Sequence, residues 1–261
     1  MTQDTTDYKT YPIKSALISE HGNPEFPSVT ICNQNPLRNS SLTSSQRSSL
    51  YNVILSGHAN GNSMSENLKN SVANMITSTN GHYLQDTILY AAYNGKIHFR
   101  QNHFEKFQDA KYGTCYTFNG LHFYKKPKMV TNSGPGYGLR LIVGLDPLQS
   151  YSSGSETSGF RIVIHPPRSM PYPDVQGFSL SAGIEMDIAL REKKQYRLRE
   201  PYSNCEEDAK DSSGYVRTTL SCVRECGGST VLCNCNPPCE ETEYDMDFSI
   251  TQWPSDNHVV I

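Results

Sequence analysis

The chain has 261 residues and a mass of 29.2 kDa, with 23 Lys and Arg against 26 Asp and Glu and a formal net charge of −3. That balance excludes a general nucleic-acid binder, which needs a clear basic excess to neutralise phosphates. Hydrophobic residues make up 36%, lean for a globular core but above a disordered chain, and no run approaches the roughly 18 consecutive apolar residues of a membrane helix.

Residues 1–25 are polar and show no charged head followed by an apolar stretch, so no signal peptide is visible. Phe26 to Cys32 alternates apolar and polar residues as a half-buried strand does, and Asn33 to Pro36 carries the turn that ends it. Residues 39–80 are rich in Ser and Asn with apolar residues at loose helical spacing, which predicts short helices in an exposed excursion. Ile88, Leu89 and Tyr90 precede a turn at Asn94-Gly95, and Phe104 with Phe107 predicts one further helical turn over His103 to Gln108.

From Tyr112 onward the pattern is β. Cys115 to Phe118 reads as a strand, Asn119-Gly120 as a two-residue hairpin turn, and Leu121, Phe123 and Tyr124 as the returning strand. Gly134, Gly136 and Gly138 lead into the apolar run Leu139 to Leu145; glycines before a strand make a turn, whereas a dinucleotide loop follows a strand and opens a helix. Phe160 to His165 is a further strand, stopped by Pro166-Pro167, and alternation resumes from Phe178 to Leu190 and at Tyr196 to Arg199. Short strands without β-α-β alternation predict an α+β fold, mainly antiparallel, with helical insertions.

The acids at 241, 243, 245 and 247 share one strand face, and the basic stretch Arg191 to Arg199 can pair with them. A solvated strand face accounts for that acidic run better than a cation-gathering vestibule. The eight His residues form no H-E-x-x-H motif or Cys/His ligand set, and no G-x-S-x-G elbow is present, so no catalysis, cofactor or metal is assigned. His165 reads as structural.

Five of the eight cysteines fall between Cys222 and Cys239. Cys222 and Cys226 share a helix face, and Cys233 and Cys235 share a strand face. A helix antiparallel to a strand can pair Cys226 with Cys233 and Cys222 with Cys235, with Cys239 reaching Cys205 and Cys32 left for Cys115. Four thiolates on one zinc ion are the competing arrangement, but C-x-C is tight for two ligands of one metal, no His lies near, and four cysteines would be left over. Asn39-Ser40-Ser41 is the one N-glycosylation sequon.

Four segments, in order, resemble the extracellular domain of the degenerin/epithelial sodium channel family, which includes acid-sensing and peptide-gated channels. They are Phe26 to Pro36 (FPSVTICNQNP), Tyr112 to Asn119 (YGTCYTFN), Gly159 to His165 with Tyr172-Pro173 and Gly177-Phe178, and Cys235 to Cys239 (CNPPC) with Tyr244 and Trp253-Pro254-Ser255. The resemblance implies the same four cysteine pairs and a single hand-like domain over 1–261. Its palm and β-ball strands would lie in 26–38 and 112–202, a finger-like helical insertion in 39–111, a shortened disulfide-stapled thumb in 203–240 and a return palm strand in 241–255. It also implies that the sequence begins just after one membrane helix and stops shortly before another. Three such chains, identical or mixed, would surround a sodium-conducting pore in the plasma membrane, with Tyr202, Tyr244 and Trp253 coupling stimulus to pore.

Departures from the family pattern are specific. Ala91 and His98 stand where relatives carry two finger cysteines, and Tyr202 stands where they often carry Trp. Only Gly227 to Leu232 separate Cys226 from Cys233, where acid-sensing relatives have a much longer thumb, which argues against proton gating through a pocket between thumb and finger. The alternative to a channel subunit is a secreted, disulfide-rich binding module.

Overall fold

The computed structural model describes residues 22–59, 74–76, 79–97, 103–120, 126–146, 148–149, 158–207, 210–211, 214–227 and 235–254, with the backbone alone described for 53–59. Among these residues ten strands and four short or medium helices give an α+β architecture in which the ladders between named strands are all antiparallel.

The central sheet orders its strands β4 (Phe104–Asp109), β5 (Gly113–Phe118), β1 (Ser28–Asn33), β7 (Gly159–His165) and β8 (Phe178–Ser181). Its two faces differ in chemistry because successive side chains point to opposite sides. Val29, Ile31, Phe104, Tyr116, Phe118, Phe160 and Ile162 form one face and pack on a second sheet of β3 (Lys96–Ile97), β2 (Ile88–Tyr93) and β6 (Leu139–Val143). Phe118 is fully buried at the centre of this core, with ring centroids of Tyr93 and Phe104 each at 5.6 Å and Phe26 at 6.2 Å. Such tilted and edge-on contacts suit aromatic quadrupoles.

The opposite face carries Ser28, Thr30, Cys32, Cys115, Thr117 and His165, all buried. Buried hydroxyls need partners: Ser28 Oγ donates to the Asn119 carbonyl, and the others meet within the row. Thr30 Oγ1 lies 2.8 Å from Thr117 Oγ1 and 2.9 Å from His165 Nε2. Cys32 and Cys115 are directly opposite in the β1/β5 register, with Cα atoms 4.3 Å apart, and their sulfurs are bonded.

Helix α1 (Ser44–Ala59) opens on a capping box: Gln46 N–H donates to Thr43 Oγ1, and Thr43 N–H donates to Gln46 Oε1. Leu50 on this helix joins Leu37 and Leu42 in a small separate core. Helices α2 (Leu84–Thr87), α3 (Pro173–Gln176) and α4 (Thr219–Glu225) are one or two turns each. Among the described residues no helix is long and apolar enough to cross a membrane.

Two sequence expectations are corrected. His103 to Gln108 is not a helical turn but leads into and forms most of β4, with Phe104 in the main core and Phe107 against the Cys32–Cys115 bridge and Tyr112. The i, i+3 spacing that suggests one helix face instead serves two different faces of a strand. The hairpin expected at Asn119-Gly120 does not pair back on β5, because β4 and β1 already occupy both edges of β5. Asn119, at φ 57°, instead binds neighbouring backbone: Nδ2 donates to the Phe26 carbonyl at 2.5 Å, and Oδ1 accepts from Lys128 N–H at 2.9 Å. The proposed return segment 121–124 lies outside the described residues.

Candidate functional site

The longest regular feature is a two-stranded ribbon, β9 (Ile184–Tyr196) against β10 (Glu240–Gln252), paired in unbroken register over thirteen residues. At about 3.4 Å per residue it spans roughly 40 Å. One face carries Ile184, Met186, Ile188, Leu190, Tyr244, Met246, Phe248 and Ile250, set by the strict alternation of both strands. Phe248 meets Phe178 of β8 edge-on at 5.0 Å, which ties the ribbon to the central sheet. The other face is charged, and the acids and bases expected to pair do so: Arg191–Asp247 and Lys193–Asp245 each at 2.6 Å. Both pairs are largely exposed and contribute little stability.

The Glu240 end of the ribbon is anchored differently. Arg197 is about four-fifths buried and pairs with Glu241 at 2.7 Å, and the same guanidinium donates to the Pro238 carbonyl at 2.8 Å. Arg197 N–H donates to the Cys239 carbonyl, and Cys239 is bonded to Cys205. Arg199 pairs with Glu207 just beyond.

Past this anchor, α4 begins with a second capping box between Thr218 and Ser221. It carries Cys222, bonded to Cys235, while Arg217 donates to Cys222 Sγ at 3.1 Å and reaches Glu206 at 3.6 Å. Cys226, the C-cap residue, is also disulfide-bonded. Its expected partner, Cys233, lies outside the described residues. The sulfurs of Cys222, Cys226 and Cys235 lie within 4.8 Å of one another. All three are consumed in disulfides and none offers the thiolate that zinc takes. This stapled segment also grips the connection between β7 and β8: Val216 N–H donates to the Arg168 carbonyl, and Arg224 pairs with Asp174 of α3 while lying over the Tyr172 ring.

The expected coupling residues are spread along this assembly rather than gathered. Tyr202 is half-exposed beside the Arg197 anchor, its N–H donating to the Arg199 carbonyl. Trp253 is at the far end, its N–H donating to the Gly183 carbonyl. Tyr244 lies between them, on the apolar face. Its hydroxyl is buried with no hydrogen-bond partner among the described residues, and burial, with Glu192 and Glu25 near, pushes its pKa up. Asn39 sits in a 3-10 turn, Asn39–Ser41, with Nδ2 reaching the Leu148 carbonyl at 3.4 Å.

His165 closes the hydroxyl row of the central sheet. Its Nδ1 lies 3.2 Å from both Ser169 Oγ and the Pro166 carbonyl, and burial lowers its pKa to about 4. The structural role expected for it is the one it occupies. His82 is likewise buried and its pKa lowered by desolvation, with Nε2 at 3.1 Å from the Asn35 carbonyl. No residue pattern points to Arg217, whose closest partner is a sulfur, and Asn119 reads in the sequence only as a turn residue because its partners are backbone groups; the basic run does contain Arg197 but does not single it out.

Comparison with known proteins supplies the family. The chain is 33% identical over 153 residues to degenerin mec-10 of Caenorhabditis elegans, covering 56% of this chain and 21% of that protein. It is 33% identical over 213 residues to degenerin mec-4 of Caenorhabditis briggsae (63% and 27%) and 26% identical over 254 residues to the degenerin-like protein unc-105 of Caenorhabditis elegans (74% and 27%). It thus spans about a quarter of the length of these curated relatives. The family model for the amiloride-sensitive sodium channel matches residues 2–232, so the chain belongs to the amiloride-sensitive sodium channel family, the degenerin and epithelial sodium channel group.

Proposed function

We propose that this chain is the extracellular region of a sodium channel subunit and passes an external stimulus to a cation pore. In this reading 26–38 and 112–202 supply palm and β-ball, 39–111 a finger, 203–240 a shortened thumb and 241–255 the returning palm strand. Membrane helices flank the region, and three subunits surround the pore at the plasma membrane. Asn39 is the glycan acceptor, modified before its amide meets Leu148.

The observation that carries the reading is the mechanical continuity of the stapled segment and the ribbon. Cys205–Cys239 and Arg197 join them at one end, and thirteen paired residues leave no hinge along the ribbon. A displacement of α4 is therefore delivered along β9 and β10 rather than absorbed locally. In this reading Tyr202, at the anchored end, and Trp253, at the far end, are where the displacement enters and leaves the ribbon.

The test is voltage clamp of cells expressing the whole protein with its membrane segments. The expected result is an amiloride-sensitive sodium current, with stimulus-evoked opening impaired by Arg197→Ala at unchanged surface level. Surface protein that carries no such current, alone or with related subunits, overturns the proposal.

A further inference from the structure

The three bridges with both ends described present their sulfurs differently. Cys32 and Cys115 are fully buried in the middle of the central sheet, out of reach of any reagent while the sheet is intact. Cys205 is partly exposed and its partner Cys239 buried, but Cys205 Sγ faces the Arg197 carbonyl oxygen at 3.6 Å, an acceptor that opposes negative charge on sulfur. The Cys222–Cys235 bridge is built the other way. Cys222 is 3% exposed and accepts from Arg217 Nη2 at 3.1 Å, whereas Cys235 is partly exposed.

Arg217 is only loosely matched in the closed bridge. The carboxylate paired with it, Glu206, is 3.6 Å away, and its Nε is buried with no hydrogen-bond partner among the described residues. A buried donor left unpaired is costly, and a neutral sulfur is a weak acceptor. A thiolate in the same place carries the opposite charge and accepts strongly. The guanidinium is therefore complementary to the Cys222 thiolate that forms when the bridge opens, more than to the closed bridge.

We propose that Cys222–Cys235 is a reduction site for a dithiol, attacked at Cys235 and opened toward Arg217. A thiolate of the reductant bonds to Cys235 Sγ while the S–S bond breaks, and the electron pair of that bond leaves on Cys222 Sγ beside the guanidinium. The second thiol of the reductant then loses its proton and attacks the reductant's own sulfur in the mixed disulfide, releasing Cys235. The dithiol ends as a disulfide, and its two protons complete the two protein thiols. Cys222 lies on α4, and Cys235 opens the segment that runs through Cys239 into β10. The reaction thus removes one covalent joint between α4 and the ribbon and leaves the Arg197 anchor and the Arg224–Asp174 pair in place. The inference stands on the sulfurs and Arg217 and does not depend on the channel reading.

The test exposes the oxidised 261-residue chain to dithiothreitol at neutral pH, blocks new thiols with N-ethylmaleimide and maps them by mass spectrometry. Expected is labelling of Cys222 and Cys235 at least about ten-fold faster than of Cys205 with Cys239 or Cys32 with Cys115; Arg217→Ala slows it about ten-fold, and Arg217→Lys restores most of the rate. In the unaltered chain the neutral monothiol β-mercaptoethanol, quenched early, should leave its adduct on Cys235 and the free thiol on Cys222. The same pattern in Cys226→Ala/Cys233→Ala shows that exchange with Cys226, whose sulfur lies within 4.8 Å, does not produce it. An adduct on Cys222, earlier opening of Cys205–Cys239, or labelling that Arg217→Ala leaves unchanged or speeds would each overturn the proposal, the last being what a merely structural Arg217 gives.

Discussion

Acidification from pH 7 to pH 5 should weaken the fold most strongly through the buried His165. Its ring is held neutral between Thr30 and Ser169 on the hidden face of the central sheet, and burial lowers its pKa to about 4. In the unfolded chain the ordinary value of about 6.5 returns, so the unfolded state binds the extra proton first. Stability from this group is therefore complete above pH 6.5 and is lost as the pH falls through the window from 6.5 to about 4. Two and a half pKa units correspond to about 3 kcal/mol in all, and about 2 kcal/mol of it is gone by pH 5. Urea unfolding at pH 7 and pH 5 measures the loss, and His165→Asn isolates it, because Asn retains hydrogen-bonding capacity but does not titrate. The variant starts less stable, but its further loss between the two pH values should be smaller than the parent's by about 2 kcal/mol. An equal pH-dependent loss in parent and variant refutes the assignment.

Three further outcomes follow from geometry. Gly113→Ala places a Cβ at φ +68° and 2.8 Å from the Pro36 carbonyl oxygen, so thermal unfolding should show a loss of at least about 2 kcal/mol. Arg191→Ala removes an exposed pair and should change stability by less than about 0.5 kcal/mol, whereas Arg197→Ala strands Glu241 and the Pro238 carbonyl and should cost about 2 kcal/mol; equal effects in urea melts contradict the anchor. Replacing Cys222 and Cys235 together by Ala opens a bridge of sequence separation 13, worth about 3 kcal/mol if the rest of the staple gives no compensation. A midpoint unchanged under non-reducing conditions would show that the neighbouring bridges suffice.

Strands whose two faces differ in polarity were legible from the residues alone. Gly159–His165 and the two ribbon strands show alternation, and the pairing of the acidic run with the basic stretch Arg191 to Arg199 follows from the residues, whereas the individual partners Arg191–Asp247 and Lys193–Asp245 come from the strand register. The central sheet was harder, because its second face is polar yet buried. Ser28, Thr30 and Thr117 look like a solvent side by pattern, but Ser169 and Tyr215, with Arg168, roof them over. Strand β4 was misread because its two phenylalanines serve different cores three residues apart. The Asn119-Gly120 hairpin failed for a nonlocal reason: the partner that claims the edge of β5 is β1, more than eighty residues upstream. At the candidate site, the anchoring role of Arg197 rests on the backbone at Pro238 and Cys239, and backbone acceptors carry no sequence signature.

The bond between Cys32 and Cys115 encloses a sequence separation of 83 in one covalent ring whose clasp sits in the middle of the central sheet. That ring contains α1, the small Leu37/Leu42/Leu50 core and both outer strands β3 and β4. Because the ring is closed in the folded and unfolded chain alike, changing its length adds almost no loop-closure cost at folding, a cost that grows only logarithmically even in an open chain. The part of the ring between β1 and β2, residues 39–80, is thus a region where insertions and deletions are tolerated without loosening the sheet that carries the ribbon. Change in what this surface meets can accumulate there, while the stapled segment and the ribbon stay mechanically the same.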